Sequence, residues 1–581
     1  TLVSGRELPM HLGLPTRSVH GLPIIEHAEF GRNVPDEAMP DEDKMNLGKI
    51  YHMGKEEAAG LILNRQAMAS HTFITGSTGT GKSNAVYHLL DEITKNGQTT
   101  FLVVEPAKGE YKNVFGNCTD VQVFGTNPRE TPLLRMNPFA FPENIHILEH
   151  IDRLVEIFNA CWPMYAAMPA VLKDAIERSY QKVGWDLRNS ESEKGVFPTF
   201  FDLLDILPGV IEESHYSKDT QSDYVGALCT RVKSLTNGIY GSVLCAEDAL
   251  TDEALFDRNV IVDLSRVGSM ETKSLLMGIL VMKLQEYRMC SSGMNSRLRH
   301  VTVLEEAHNL LRKTSAEQSQ EGANLQGKSV EMLANAIAEM RTYGEGFIIA
   351  DQAPGLLDMS VIRNTNTKII LRLPDEEDRK LVGKSAALKE AQIDELSKLP
   401  LGVAAVYQNE WPEAVLCKIE AYPMPENAVY HKPSKMPHEI NAEFVFGQLA
   451  VGKELKPLSS SEMEQLKLWL KRHETVLKPE DSRYLERVFA GGELDVAKTR
   501  KAVFDFFGGI GTVVDYCAAA KKSLTPRKEF LEQLQGQYGL KAAAADWVLN
   551  SVISMGMSLN PDAKAVDNLR TNFEQQGGRV L

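Results

Sequence analysis

The sequence predicts an α/β fold: a mainly parallel sheet interrupted by a helical insertion and followed by a helical C-terminal region. From about residue 46 to 136, short apolar runs alternate with polar helical stretches, which is typical of parallel strands joined by crossover helices. The strand pattern disappears between about 145 and 255 and then resumes. We therefore expect an extended N-terminal segment (1–45), a core in two parts (46–144 and 256–425), the insertion (145–255), and a linker with a helical region (426–581).

Local patterns predict the individual elements. Short runs rich in apolar and β-branched residues predict strands; they are Phe73–Thr75, Phe101–Val104, Val260–Val262, Val301–Leu304, Phe347–Ala350, Lys368–Leu373 and Val403–Tyr407. Ser83–Lys95 is predicted as a helix. In the insertion, apolar residues such as Leu154, Ile157 and Phe158 fall at helical spacing. In the tail, Ser461–Glu464 forms a possible capping box at the start of a helix.

Composition excludes several classes of protein. Of the 581 residues, 63 are basic and 78 acidic, a net charge of −15, while 43% are hydrophobic and 24% charged, which excludes a disordered or fibrous chain. The longest nearly apolar run, Ser274–Met282, is about half of a bilayer-spanning helix, so we expect no contact with a membrane. The seven cysteines form no CxxC pair and predict reduced thiols in a cytoplasmic protein. The acidic balance argues against wholesale coating of nucleic acid but permits a local basic channel.

The strongest motif is a phosphate loop between the first predicted strand and the first predicted helix. Gly76–Ser83 satisfies G-x-x-x-x-G-K-[ST], in which glycines let backbone N–H groups surround nucleotide phosphates at a helix N-terminus. Lys82 is expected to reach the β- and γ-phosphates and Ser83 to ligate Mg²⁺. The residues expected to bind ATP are Gly76, Ser77, Thr78, Gly79, Thr80, Gly81, Lys82, Ser83 and Asn84.

A nucleotide hydrolase also needs an acid near Mg²⁺ and a residue that orients water. Glu305 and Glu306 directly follow the predicted strand Val301–Leu304. We expect Glu305 to hold the Mg²⁺ water shell and Glu306 to activate the attacking water. Asp263, which also ends an apolar strand, competes for the metal role but offers no second acid beside it.

Two further patterns involve polar residues near predicted strands or helices. Gln352 follows the strand Phe347–Ala350, where its amide could sense the γ-phosphate, hold the attacking water or only cap the loop. His146-Ile147-Leu148-Glu149-His150 fits the H-x-x-E-H string of zinc peptidases. No second motif accompanies that string, so a helix start that faces solvent or a subunit boundary is the preferred interpretation.

Together these residues resemble the HerA/FtsK-type P-loop motors, and specifically the HerA-like ATPases. The ordered matches extend over about two-thirds of the chain; they are Gly76–Ser83, Glu105–Tyr111, Leu304–His308, Glu339–Gly344 and Asp351–Gln352. The resemblance implies a RecA-like core that forms a homo-hexamer around double-stranded DNA, with ATP bound between subunits. It also points to a subgroup associated with antiviral defence effectors, such as a nuclease or a sirtuin-like NAD-consuming enzyme. We expect the family's N-terminal β-barrel to be absent from this sequence or reduced to a remnant.

The resemblance further implies that one subunit supplies an arginine to its neighbour's γ-phosphate. Arg341 matches the family's position, with Arg363 as the second choice, although either could form an ordinary ion pair within one subunit. Lys108 and Lys112 could line the nucleotide site or a DNA channel, or be solvated loop lysines.

The sequence therefore predicts an ATP-hydrolysing motor that moves along double-stranded DNA and works with an effector protein. The alternative is a ring scaffold in which ATP controls assembly with an effector, without processive movement on DNA.

Overall fold

We describe the fold from a computed structural model. The residues described are 18–20, 27–35, 39–165, 167–192, 195–246, 249–314, 325–424, 428–432, 440–451, 455, 457–458 and 460–580. The chain divides into two compact units, Thr1–Lys432 and Pro433–Leu581.

The first unit is built on an eleven-stranded sheet. The strands of the first unit are β1 (Lys44–His52), β2 (Lys55–Asn64), β3 (Thr72–Thr75), β4 (Thr100–Glu105), β5 (Val121–Gly125), β6 (Trp185–Asp186), β7 (Glu191–Ser192), β8 (Asn259–Asp263), β9 (His300–Glu305), β10 (Glu345–Asp351), β11 (Thr367–Ile370), β12 (Val403–Gln408) and β13 (Val415–Ile419). The strand order of the large sheet is β2-β1-β13-β12-β11-β3-β10-β9-β4-β8-β5, and β6 pairs only with β7. The seven strands from β11 to β5 are parallel, whereas β12, β13, β1 and β2 continue the sheet in antiparallel pairs.

Helices cover this sheet and form the insertion. The helices of the first unit are α1 (Lys82–Thr94), α2 (Tyr111–Phe115), α3 (Ile147–Cys161), α4 (Met168–Lys182), α5 (Phe200–Glu213), α6 (Lys218–Tyr224), α7 (Thr230–Thr236), α8 (Gly238–Leu244), α9 (Asp252–Phe256), α10 (Met270–Ser291), α11 (Leu325–Glu339), α12 (Met359–Arg363), α13 (Glu376–Ser385) and α14 (Glu390–Glu395). A π-helical turn, Val225–Cys229, joins α6 to α7. Two apolar clusters pack against opposite faces of the central strands, which explains why β3, β9 and β10 are buried along their whole length.

The second unit is helical. Its helices are α15 (Ala442–Val451), α16 (Ser460–Arg472), α17 (Pro479–Phe489), α18 (Val496–Phe506), α19 (Gly509–Ala520), α20 (Pro526–Tyr538), α21 (Ala542–Leu559) and α22 (Ala563–Gln575). They enclose a separate apolar cluster that includes Phe504, Phe506 and Phe507. The capping box predicted at Ser461–Glu464 falls on side chains outside the described part.

All seven predicted strands are present, although the strand predicted at Lys368–Leu373 ends at Ile370. The predictions missed β1, β2, β5 and β13, which lie at or near the two edges of the sheet. The first half of β2 is largely exposed and polar, so it lacks the continuous apolar run that identified the central strands. Residues 27–35 lie along the sheet, where the Gly31 amide donates to Ala414 O at 2.8 Å.

The structure separates the two histidines of the H-x-x-E-H string. His146 caps α3 by accepting a hydrogen bond from the Leu148 amide, and its half-buried ring lies 3.4 Å from Arg188 O through Nε2. His150 is fully buried one turn later and contacts Glu286 on α10 at 3.0 Å. The expected helix start is confirmed at His146, which caps α3, but a solvent-facing position is wrong for His150, whose neighbours are core residues.

No single helix in the described residues combines the length and apolar composition that crossing a bilayer requires. Two helices bent by 70° at their junction, α18 and α19, reach that composition only when they are taken together.

A buried ionic network fixes the amino-terminal ends of β9 and β10. Glu345, the first residue of β10, accepts hydrogen bonds from Arg288 Nε at 2.8 Å and Thr302 Oγ1 at 2.8 Å, and its carboxylate contacts His300 Nδ1 at 2.7 Å. Arg288 also pairs with Asp257 at 2.7 Å. Because Arg288 and Glu345 are both almost inaccessible to solvent, each charge depends on the other for compensation.

Removing one partner of this network should destabilise the first unit. We expect Glu345→Ala to cost about 3–5 kcal/mol, since it leaves the Arg288 guanidinium buried without one of its carboxylates. Thermal unfolding, followed by circular dichroism, measures the effect. The control is Glu376→Ala, which breaks an exposed pair with Lys380 and should change stability by less than about 1 kcal/mol. Equal midpoints for the two variants would show that the network does not stabilise this edge.

Candidate nucleotide-binding site

The phosphate loop occupies the position that the sequence predicts, between β3 and α1. Gly79 and Gly81 have φ angles of 75° and 106°, which lie in the left-handed region that favours glycine. At Gly76, a β-carbon would lie 2.7 Å from Leu371 Cβ, so only glycine fits. The loop is held from outside by two backbone hydrogen bonds, from Ser77 N to Arg372 O and from Gly402 N to Thr80 O, both 3.0 Å long.

Lys82 lies between the two predicted acids. Its ammonium group is 3.3 Å from Glu305 Oε2 and 3.3 Å from Glu306 Oε1, and the side chain is 8% exposed. Strand order explains the meeting, because β10 alone separates β3 from β9 and all three strands run parallel. The structure therefore brings together the three charged residues that the sequence assigns to phosphate, metal and water.

Glu306 is held in a strained and specific position. Its φ of 45° and ψ of 51° put a non-glycine residue in the left-handed region, which costs free energy and is found mostly at functional sites. The Gln352 amide donates to Glu306 Oε1, and Thr78 Oγ1 donates to Gln352 Oε1 at 2.7 Å. Gln352 thus connects Thr78 in the phosphate loop to Glu306.

His308 and Asp351 form a contact that the sequence analysis missed. Asp351 Oδ2, at the end of β10, accepts the His308 backbone amide at 2.8 Å and lies 2.9 Å from His308 Nδ1. The hydrogen bond with Asp351 raises the pKa of His308, although burial opposes this. His308 Nδ1 is also 3.6 Å from Glu306 Oε2. The only available signal was that both residues stand at strand ends beside the predicted acids.

Tyr111 and Glu105 are the other site residues that sequence reasoning did not assign. Tyr111 is buried, and its hydroxyl donates to Glu305 Oε1 at 2.5 Å. Glu105, the last residue of β4, accepts the backbone amides of Glu110 at 2.8 Å and Tyr111 at 3.2 Å. Both belong to the Glu105–Tyr111 segment, which was recognised only as part of a family pattern.

The competing acid Asp263 is farther from the phosphate loop than Glu305 is. Its strand, β8, lies four places from β3 in the sheet, whereas β9 lies two places away, which corresponds to about 19 Å against about 10 Å. Asp263 pairs with Lys112 at 2.6 Å, and Lys112 also contacts Glu130 at 3.0 Å. Lys112 is therefore not a solvated loop lysine. Lys108 is 49% exposed and lies 3.7 Å from Glu110.

The oxygen donors of this cleft fit a magnesium ion. Ser83 and Glu305 line the same cleft as Lys82, and a hydroxyl with a carboxylate is the hard-oxygen donor set that Mg²⁺ prefers. The ammonium of Lys82 already occupies a position between two carboxylates, where positive charge is favoured. A second group of potential ligand atoms, from Glu306, His308 and Asp351, lies within 4.8 Å of one another.

Asn84, which directly follows the phosphate loop, forms hydrogen bonds with the backbone of a distant segment. Its side-chain amide donates to Glu420 O at 3.0 Å, and its side-chain oxygen accepts the Tyr422 amide at 2.9 Å. The residue predicted to bind nucleotide therefore also holds the segment that follows β13.

The two candidate arginines lie at the amino-terminal ends of the strands, opposite the ends that carry the phosphate loop and the acids. Arg341 precedes β10 and Arg363 precedes β11, and both are exposed. The phosphate loop follows the carboxyl end of β3, so the length of β10, about 20 Å, separates Arg341 from its own loop. In the described part of the chain, neither arginine forms an ion pair. The structure does not bring either of them into the site of the same chain.

The protonation of Glu105 should make stability depend on pH. Burial raises the pKa of Glu105 from its ordinary value of 4.5 to about 8, although two backbone amides lower it. The unfolded chain then releases a proton at lower pH than the folded chain does, so stability falls as pH rises between about 5 and 8. We expect Glu105→Gln to reduce this fall by a few kcal/mol, on the order of magnitude that such a shift implies.

Thermal unfolding midpoints of Glu105→Gln and the unmodified protein at pH 5 and pH 8 measure this effect. The exposed variant Glu410→Gln is the control. A difference between Glu105→Gln and the unmodified protein that does not change with pH would show that Glu105 ionises normally.

Comparison with known proteins agrees with this geometry. Residues 45–283 match the family described as "Helicase HerA, central domain". A protein of Methanocaldococcus jannaschii named as a probable helicase is 23% identical over 436 residues, 68% of this chain and 76% of that protein. The DNA double-strand break repair helicase HerA of Sulfolobus acidocaldarius is 25% identical over 393 residues, 65% of this chain and 69% of that protein.

Among solved structures, the VirB4 protein of Thermoanaerobacter pseudethanolicus has a similar fold. It superposes with a TM-score of 0.50 at 19% identity and covers 66% of this chain and 98% of that one. The likeness agrees with a RecA-like P-loop core. Residues 45–283 of this chain therefore match a HerA central domain, and the chain is similar to the two archaeal helicases over 68% and 65% of its length.

Proposed function

We propose that this protein hydrolyses ATP and uses the cycle to move along double-stranded DNA as a homo-hexameric ring. The observation that carries the proposal is the position of Lys82 between Glu305 and Glu306, with Glu306 also bound by Gln352. In this proposal Lys82 binds phosphate, Glu305 holds the metal, Glu306 activates water, and Gln352 connects Glu306 to the phosphate loop. The names of the HerA relatives support DNA as the partner.

The contacts of Lys82 suggest how the site responds to nucleotide. The ammonium group compensates two carboxylates, so a polyphosphate must take over Lys82 from them. Ser83 and Glu305 would then hold Mg²⁺, directly and through its water shell. Bound Mg²⁺ would neutralise charge on the phosphates and stabilise the transferred phosphoryl group.

Glu306 and Gln352 would act on the attacking water. Once Lys82 moves to the phosphates, Glu306 Oε1 loses one of its two donors and becomes a better acceptor for a water proton. The Gln352 amide keeps the carboxylate in place, and its other end contacts Thr78 in the phosphate loop. Nucleotide binding in the phosphate loop would therefore affect Glu306 through Thr78 and Gln352.

The exposed arginines support an active site shared between subunits. Arg341 lies at the sheet edge away from its own phosphate loop and has no ion pair within the described residues. A neighbouring subunit in a ring could receive this cation at its γ-phosphate, where such arginines stabilise the transition state. Arg363 remains the second choice.

The second candidate function is a ring scaffold that ATP assembles with an effector, such as a nuclease or a sirtuin-like NAD-consuming enzyme in antiviral defence. The observation that favours it is the compact helical unit Pro433–Leu581, which lies wholly outside the HerA central-domain match. Such a unit offers a surface for a protein partner. The two candidates differ in whether DNA changes the rate of ATP hydrolysis.

ATP turnover with and without duplex DNA tests the motor. We expect DNA to stimulate turnover several-fold and this stimulation to decline as salt rises from about 50 to 200 mM, because phosphate contacts release counterions. Lys82→Ala should lose nucleotide binding or turnover, whereas Glu306→Gln should bind ATP but hydrolyse it at least about 100-fold more slowly. Rapid turnover by Glu306→Gln would remove Glu306 from the mechanism. Turnover that DNA leaves unchanged would favour the scaffold.

Mixing two inactive variants tests the shared site. We expect Arg341→Ala to be inactive alone but to regain part of its turnover when it is assembled with Glu306→Gln, because the latter supplies an intact Arg341 to the former's intact Glu306. Coupled phosphate-release assays on co-assembled protein measure the recovery. The same mixture made with Arg363→Ala is the comparison. Normal assembly without recovery for Arg341→Ala would transfer the role to Arg363.

A further inference from the structure

We infer that Tyr111 is a positioning residue for Glu305: its hydroxyl fixes the orientation of the carboxylate that would hold the Mg²⁺ water shell. The inference rests on the proposed function, because it concerns the metal role of Glu305. It assigns a purpose to the buried hydroxyl of the Glu105–Tyr111 segment, which lines the same cleft as Lys82 and Glu305.

The first support is the geometry of the hydroxyl. Tyr111 is 1% exposed, and the one side-chain partner of its hydroxyl in the described chain is Glu305 Oε1. The other oxygen, Oε2, is the one that contacts Lys82. The two carboxylate oxygens therefore have different partners: Oε1 accepts the hydrogen bond of Tyr111, and Oε2 faces the ammonium group of Lys82.

The second support is the backbone conformation that positions this hydroxyl. After β4, Lys108 and Gly109 both adopt left-handed φ angles, 60° and 69°, so the backbone reverses sharply before α2. A β-carbon at Gly109 would lie 3.0 Å from Ser265 Oγ, which leaves little room for another residue. Glu105 then binds the free backbone amides at the start of α2 and fixes Tyr111 within that short helix.

The third support is the packing of the ring. Tyr87 on α1, the helix that begins with Lys82, meets the Tyr111 ring edge-on at a centroid distance of 4.9 Å. Tyr111 therefore contacts both the phosphate-loop helix and Glu305, the acid at the end of β9.

These contacts define what Tyr111 does when Lys82 leaves. Glu305 would lose its cationic partner on Oε2 but keep the hydrogen bond on Oε1. The carboxylate would remain oriented toward the cleft instead of rotating to find another donor. Without the hydroxyl, Glu305 would have to be ordered at the moment of metal binding, which weakens that binding.

The test is the Mg²⁺ dependence of nucleotide binding by the full chain. The fluorescent nucleotide mant-ADP is bound at equilibrium in EDTA and then with increasing Mg²⁺. We expect Tyr111→Phe to bind mant-ADP normally in EDTA but to need about 10-fold more Mg²⁺ for half-maximal response, as loss of a hydrogen bond to a charged group implies.

A double-mutant cycle separates positioning from a structural role. Because Tyr111 acts through Glu305, adding Tyr111→Phe to Glu305→Gln should change the Mg²⁺ requirement less than twofold. The matched control is Tyr180→Phe, in which another buried hydroxyl, bonded to Phe139 O, is removed. This control should leave the Mg²⁺ requirement unchanged.

Each outcome decides between the alternatives. A Mg²⁺ requirement for Tyr111→Phe that equals or lies below that of the unmodified protein overturns the positioning role and leaves the proposed function intact. An equal increase in both backgrounds also overturns it, since the effect would then not pass through Glu305. If mant-ADP binding by the unmodified protein ignores Mg²⁺, the metal role of Glu305 and the role of Tyr111 both fail.

Discussion

The structure of the site depends on the crowding of buried carboxylates along one edge of the sheet. Four adjacent parallel strands each end in an acid, and neighbouring strands are about 4.8 Å apart. In sheet order these acids are Asp351, Glu305, Glu105 and Asp263. Buried charges of one sign at this spacing are unfavourable unless each one has a compensating partner. The residues that provide compensation are also the residues that build the candidate site.

Each acid is compensated in a different way. Asp263 pairs with Lys112, which also contacts Glu130. Asp351 contacts both the backbone amide and Nδ1 of His308. Glu105 has only backbone amides, so it takes up a proton more readily than an ordinary glutamate. Glu305 shares Lys82 with Glu306, and that lysine is the cation which phosphate groups can withdraw. The cation that phosphate can withdraw, Lys82, therefore lies at the phosphate loop, whereas Lys112 and His308 keep their carboxylate partners.

The sequence predicted the centre of the site well because its chemistry is local. The phosphate loop needs left-handed glycines between a strand and a helix, and such a pattern is contiguous along the chain. Glu305 and Glu306 were recognisable because they follow a buried apolar strand. Tyr111 and His308 were not assigned, since a buried tyrosine or histidine carries no local mark of its partner. The edge strands β1 and β2 were missed because partial exposure removes the apolar pattern.

The sequence by itself determined the α/β class, the phosphate loop and the acids at the ends of strands, because these follow from residue type and short-range spacing. Only the tertiary structure decided which strands lie side by side. That order places Glu305 nearer than Asp263 to the phosphate loop, brings Tyr111 to Glu305, and leaves Arg341 at the other end of β10 from its own loop. The physical reason is that strand order is fixed by packing across the whole sheet, between residues that are hundreds of positions apart.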